Sequence, residues 1–307
     1  MTKSFYSNGK LLLTGEYAVL DGALSLAVPT KYGQSLSVET ADSHELLWTS
    51  MNENGRVWFE STFDISSLEH DPSRQKSQEG NAIGEKLSKI LREARKLNPN
   101  FLSDNKGYTV RTDLNFPRNW GLGSSSTLIN NIAQWAKIDA YQLLWNSFSG
   151  SGYDIACAQN NYPILYSLKD GKPAVNKVDF NPPFRDRLYF IHLNKKQNSR
   201  DGISAYRKKD FDKAKFVRQL SNITRKTLTC NTLSEFESLM TKHEALLSRT
   251  LHMPTVKESL FPDFRGTLKS LGAWGGDFIL ATGDYEVLPY FQKKGYKTIV
   301  AYAAMVL

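Results

Sequence analysis

The chain has 307 residues, 40% of them hydrophobic, which is enough for a sizeable core and more naturally two lobes than one. Its 39 Lys and Arg exceed its 31 Asp and Glu by eight, an excess that favours anionic partners such as nucleotides or phosphorylated metabolites. The basic residues are dispersed, which argues against nucleic acid, while Cys157, Cys230 and five scattered histidines exclude a disulfide framework and a zinc centre.

In chain order, "KLLLTGEYAVLDGALSLAVPT" predicts two strands joined by a tight turn at Asp21-Gly22, and "GQSLSVET" predicts a further strand. "ELLWTSMNENGRVWFESTF" reads as a hairpin about Asn54-Gly55. In "NAIGEKLSKILREARKL", Ile83, Leu87, Ile90, Leu91 and Ala94 share one helical face, with Asn81 as the expected N-cap. "GYTVRTDL" alternates as a strand that Pro117 ends. From Thr127 a helix carries Leu128, Ile132, Trp135 and Ala136, and "PILYSL" follows as a strand.

The Gly- and Pro-punctuated "GKPAVNKVDFNPPFRD" places a lobe boundary near residue 180, giving expected domains 1–180 and 181–307. The second half reads strand ("RLYFIHL"), three helices, and closing strands "GDFILATG" and "KTIVAYAAM". Its long helix has a capping-box pattern at Thr232 and Glu235, and an apolar stripe of Leu233, Phe236, Met240, Leu247 and Leu251. No signal-like apolar segment opens the chain and none has the roughly 18 apolar residues of a membrane span, so a soluble, cytoplasmic protein is expected.

The stretch "NWGLGSSSTLINN" packs two glycines and three serines ahead of a helix. A glycine turn running into a helix N-terminus exposes unpaired backbone N–H groups at the positive end of the helix dipole, a setting for phosphate. Serine hydroxyls add donors, and one can ligate Mg²⁺. The same residues equally make a turn and a cap, the commoner use of such loops. Neither the G-x-x-x-x-G-K-[ST] loop nor the three-glycine dinucleotide turn is present.

Companions elsewhere in the chain bear on the choice. "SNGKLLLTGEYAVLDG" sets Lys10 before a strand and Glu16 beyond it; "SGSGYDIACA" opens a helix at Asp154; "LKSLGAWGGDFIL" is a second glycine-rich loop. With "PRNWGLGSSS", these segments in this order resemble the three motifs and the catalytic-aspartate segment of the GHMP kinase superfamily, over nearly the whole length. The Gly-Tyr-Asp-Ile-Ala run, the Gly-Gly-Asp ending, "KHEALL" and "LNKKQNSRDGISAY" are most similar to the mevalonate and phosphomevalonate kinase branch.

The resemblance implies an α+β, two-lobed fold: an N-terminal nucleotide-binding lobe like domain 2 of ribosomal protein S5, and a C-terminal ferredoxin-like lobe. It implies ATP and Mg²⁺ as cofactors, a small anionic acceptor, and a monomer or homodimer without membrane contact. Asp154 would orient or deprotonate the acceptor, and Lys10 would stabilise the charge of the transferring phosphoryl group. Gly121, Leu122, Gly123, Ser124, Ser125 and Ser126 would hold phosphate, with Ser125 as the Mg²⁺ ligand. Ser149, Ser151, Gly152, Lys195, Lys196, Arg200, Gly272 and Ala273 are implied substrate contacts. Glu16 joins them, with a structural role as the favoured reading. Asp154 equally suits a helix cap, Lys10 an exposed strand start, and Lys195, Lys196 and Arg200 a solvated loop.

The chain departs from the family pattern at Asn8, Asn119, Trp120, Leu271 and Trp274, and Leu143 stands where several members carry a Mg²⁺-binding glutamate. Two indoles beside phosphate loops would narrow the pocket, stack on a base, or pack against protein. The leading expectation is a kinase acting on phosphomevalonate or mevalonate. The alternatives are a GHMP-fold binding or regulatory protein without turnover, and a diphosphomevalonate decarboxylase.

Overall fold

Strand β1 (Lys3–Thr14) and strand β2 (Ser25–Ala41) are linked by a 3₁₀ turn at Ala18–Asp21 in a computed structural model that describes residues 2–66, 81–104, 106–195, 199–272, 274 and 276–307. Gly22, at φ 86°, caps that turn, where a tight turn at Asp21-Gly22 was expected. β2 runs unbroken through the region read as two strands. At Gly33 a neighbouring side chain stands in for a ladder bond, the backbone N–H donating to Asn115 Oδ1 (2.6 Å).

Two compact units follow from this chain path, each assembled from separated segments. Unit one comprises residues 1–9, 32–118 and 123–159; unit two comprises residues 10–31, 119–122 and 160–307. In unit one, β3 (Glu45–Met51) pairs antiparallel with β4 (Val57–Asp64) about the expected Asn54-Gly55 turn. β3 also pairs parallel with β5 (Gly107–Leu114), and β5 pairs antiparallel with residues 34–41 of β2. Helices α1 (Asn81–Leu97), α2 (Ser124–Ala136) and α3 (Ala140–Ser147) pack on one another. Their apolar faces meet the sheet through Leu36, Val38, Trp48, Val110, Leu91 and Ile132. The face read for α1 is the face it buries: Leu87, Ile90, Leu91 and Ala94 lie in this core and Ile83 packs at its edge. The short α4 (Tyr153–Ala158) packs on α2.

In unit two, residues 25–27 of β2 pair with β6 (Ile164–Lys169), which pairs with β7 (Lys172–Lys177). A separate antiparallel sheet has the order β11-β8-β10-β9, from β8 (Leu188–His192), β9 (Leu268–Ser270), β10 (Phe278–Thr282) and β11 (Ile299–Ala301). Helices α5 (Ser199–Arg207), α6 (Lys213–Thr229), α7 (Leu233–Leu251), α8 (Val256–Leu260) and α9 (Val287–Lys293) accompany it, with α7 against α6 and β9. Thr232 accepts the Glu235 N–H as α7's cap, and the reciprocal capping box is formed at Thr255 and Glu258. "KTIVAYAAM" is strand only to Ala301; beyond it Tyr302 is buried, donates its hydroxyl to Phe180 O (3.0 Å), and opens the one-turn α10 (Tyr302–Met305).

Candidate active site

The division between the units falls inside the glycine-serine loop, after Leu122. In unit one, Gly123 sits at φ 93° as the N-cap of α2, which therefore starts at Ser124, three residues before the expected Thr127. A left-handed cap of this kind favours glycine. It offers no side-chain acceptor, so the first-turn amides of a 13-residue helix remain available to an anion. Ser126 is buried and donates its hydroxyl to Gly123 O (2.8 Å), which commits it to the turn. Ser124 is half-buried and Ser125 exposed.

Asp154 lies in the first turn of α4, behind Gly152 at φ 89°, and is half-buried; Ile155 to Ala158 are buried. The Tyr141 phenol is held well above its usual range, by burial first and then by Cys157, Asp139 and Asp154. Tyr141 was not singled out in the sequence, since an aromatic on α3 reads as core. Asp139, the acid nearest in sequence to the missing glutamate, caps α3 by accepting the Gln142 N–H (2.9 Å), and Leu143 is core. The loop ahead of α4 is held from outside: Trp145 Nε1 donates to Gly150 O (3.2 Å) and Lys89 Nζ to Ser147 O (2.8 Å). On that loop Ser149 is exposed and Ser151 buried.

In unit two, Lys10 is tied to the loop at both ends. Its backbone N–H donates to Leu122 O (2.9 Å) and its Nζ to Gly121 O (2.8 Å). Gly121, at φ 67°, packs directly on Asp277, where a Cβ would lie 2.4 Å from the carboxyl group. Asp277 is buried at φ 53°; its N–H donates to Lys195 O and its carbonyl accepts the Leu193 N–H, both at 2.8 Å. Lys10, Gly121, Leu122, Lys195 and the end of the third motif thus converge within one unit. The Lys195 side chain is exposed. Gly272 is half-buried at φ 70°. Lys196, Ala273 and the Arg200 side chain lie outside the described residues.

Both indoles pack against protein. Trp120 is half-buried, edge-on to Phe278 (5.4 Å between centroids) and tilted on His192 (6.5 Å). Trp274 is buried, donates its backbone N–H to Tyr17 Oη (3.0 Å) and its Nε1 to Pro254 O (3.1 Å).

Glu16 is buried and paired with Lys269 Nζ, whose other partner is Ser270 O (2.8 Å). Burial pushes the Glu16 carboxyl up, opposed by Lys269. His243 Nε2 lies 3.2 Å from Glu16 Oε2, yet it accepts the Gly15 N–H (2.9 Å), so the ring is neutral and this approach is no ion pair. Burial and Lys269 hold that imidazole well below its usual range. Glu244, beside it, is pushed up to about 8, chiefly by burial. "KHEALL" gave no sign of a buried ionisable cluster, because on a helix His and Glu read as surface. Among the described residues no group of three His, Cys, Asp or Glu side chains suits a metal ion, and no helix is long and apolar enough to cross a membrane.

No protein-family model and no curated protein sequence matches the chain. Solved structures do match in fold. Mevalonate kinase from Methanococcus jannaschii aligns at 14% identity over 97% of this chain and 96% of its own, with a TM-score of 0.68. Phosphomevalonate kinase from Streptococcus pneumoniae, in complex with phosphomevalonate and AMPPNP, aligns at 16% over 99% and 98%, TM-score 0.67. Lactococcus lactis galactokinase complexed with galactose aligns at 15% over 95% and 88%, also at 0.67. The chain has the mixed α+β fold of the GHMP-superfamily kinases.

Proposed function

We propose that the chain transfers the γ-phosphoryl group of ATP to the hydroxyl or phosphate oxygen of a small anionic acceptor, with phosphomevalonate first and mevalonate second. Phosphorylation of either would place the protein in isoprenoid precursor synthesis. The observation that carries the reading is the side-chain-free, glycine-capped N-terminus of α2, within a fold shared end to end with phosphomevalonate kinase.

In this reading the amides of residues 121 to 126 bind phosphate oxygens, which neutralises charge without any rearrangement during the reaction. Asp154 orients the acceptor and takes its proton when the acceptor is a hydroxyl; the acceptor oxygen bonds to phosphorus as the bond to ADP breaks. Lys10 holds the loop through Gly121 O and supplies positive charge there. Ser149, Ser151, Gly152, Lys195, Lys196, Arg200, Gly272 and Ala273 are assigned to the acceptor. Glu16 is assigned to the protein interior, because its carboxylate is engaged by Lys269.

The exposed Ser125 hydroxyl suits a Mg²⁺ ion that takes its other ligands from phosphates and water, as that ion commonly does. Such an ion supplies charge neutralisation at the phosphates when bound.

The test is incubation with Mg-ATP and a panel of acceptors (phosphomevalonate, mevalonate, galactose and a sugar phosphate) with ADP followed. Acceptor-dependent ADP supports the proposal. Intact nucleotide across the panel, with tight ligand binding, favours the binding-protein reading that the buried Leu143 motivates.

A further inference from the structure

α2 carries two adjacent asparagines at its centre, Asn130 and Asn131, both almost completely buried. Asparagine is a poor helix former, and burying its amide is costly unless every polar atom is met. Apolar residues at these positions would give a more stable core, so the pair calls for an explanation beyond packing.

The partners supply one. Asn131 Nδ2 donates to Gln34 O (2.9 Å), and Asn131 Oδ1 accepts from Ser7 Oγ (2.7 Å). Ser7 Oγ accepts from Asn130 Nδ2 (2.9 Å), and Asn130 Oδ1 accepts from Gln159 Nε2 (3.0 Å). The polarity is forced from one end. A backbone carbonyl only accepts, so Asn131 must present its amine there and its oxygen to Ser7. Ser7 then spends its single proton on Asn131, Asn130 must donate to Ser7, and Gln159 must donate to Asn130. Each bond in such a chain polarises the next.

Its members lie on the elements that matter. Ser7 is in β1, three residues before Lys10; the asparagines are in α2; Gln159 is the C-cap of α4. In α4, Ile155, Ala156, Cys157 and Ala158 are buried, and Gln159 ties the end of the helix to α2. A hydrogen bond tolerates only a few tenths of an ångström, whereas a 1 Å misplacement near reacting atoms costs on the order of 10² in rate.

We infer that the one-way chain from Gln159 through Asn130, Ser7 and Asn131 to the Gln34 carbonyl is a positioning device that locks α4, and Asp154 in its first turn, against α2. The catalytic part of this inference rests on the kinase reading of Asp154; the mechanical part does not.

Gln159 is exposed, so its substitution spares the core. Gln159→Glu presents an acceptor where a donor is required, and Gln159→Met presents neither. In both, hydrogen exchange at the amides of residues 153–158 accelerates at least tenfold while the interior of α2 exchanges as before. With Mg-ATP and phosphomevalonate, kcat falls at least tenfold and the KM for ATP stays within twofold, a split that general loosening of the fold would not give. Unchanged exchange in α4 overturns the inference, and so does faster exchange with kcat retained. If the unsubstituted protein forms no ADP with any acceptor, the kinase reading fails, and hydrogen exchange alone still decides whether the chain holds α4.

Discussion

Around α2, unit one buries Ser7, Gln34, Thr127, Asn130 and Asn131, whereas unit two buries Glu16, Lys269, His243 and Glu244. The first set is neutral at any ordinary pH, and it is joined by directional bonds such as Thr127 Oγ1 to Gln34 Oε1 at 2.8 Å. The second set is built on the charged Glu16–Lys269 pair, and among the described residues Glu16 Oε2, the Glu244 carboxyl and His243 Nδ1 have no hydrogen-bond partner of good geometry. Neutral amides fix position at modest cost, because each atom can be met by another of the same kind. Buried charges attract strongly but lose their hydration, so they hold only while every partner stays in place. The arrangement therefore makes the network around α2 precise and free of titratable groups, and the cluster in unit two cohesive but conditional.

The largest effect is expected where precision meets chemistry. Asp154→Asn removes a half-buried carboxylate in the first turn of α4 and should lower kcat by about 10³ or more, near the upper range for a general base. ATP affinity and the urea midpoint should stay close to those of the unsubstituted protein. A variant that turns over normally would reduce Asp154 to a helix-end residue. On the proposed function, Lys10→Ala should cost about 10² to 10³ in rate by removing the positive charge proposed to act on phosphate. Because its Nζ also holds Gly121 O, faster hydrogen exchange at residues 121 and 122 should accompany the loss.

Unit two should respond in the opposite way, through stability. Lys269→Met strands the Glu16 carboxylate in the interior and is expected to destabilise by about 3–5 kcal/mol, read by urea unfolding. Adding Glu16→Gln should recover much of that, since the stranded charge is gone. A single variant that is stable but slow would break the contrast, because it would make the buried pair part of the chemistry.

The two kinds of burial also differ in how far the sequence discloses them. Periodicity located β5, α1 and the apolar stripe of α7, because faces with a period of two or 3.6 residues report burial directly. The same reasoning divided β2 in two, since Pro29 and Gly33 look like a break when the side chain that meets Gly33, Asn115, is 82 residues away. Asp154 and Lys10 were singled out through resemblance to motifs. The relay through Asn130 was not, because asparagines in a helix carry no mark of what lies opposite them. Lys269 was hidden for the same reason: a lysine in a strand reads as exposed until Glu16, 253 positions earlier, is placed beside it.

The smallest effect expected is a slope against pH. Glu244 titrates at about 8 in the folded chain against an ordinary 4.5, so the folded state keeps its proton where the unfolded chain has lost it. Stability attributable to this group is complete below pH 4.5 and falls as pH rises toward 8. His243 works in the other direction. Its folded value lies well below 6.5, so its contribution is lost as pH falls below 6.5 and levels off above. From pH 6.5 to 8 the histidine adds only about 0.4 kcal/mol, whereas Glu244 should lower stability by on the order of 2 kcal/mol. Glu16 is raised too and acts in the same direction, so Glu244→Gln isolates one share of the slope. Urea unfolding at pH 6.5 and at pH 8 should show the gap narrowing in that variant. In Asn130→Asp the added carboxylate should give the network around α2 a pH dependence it otherwise lacks. An unchanged gap in Glu244→Gln would mean the carboxyl is already ionised beside Lys269, and the cluster would then be a charged triad with no titration near neutrality.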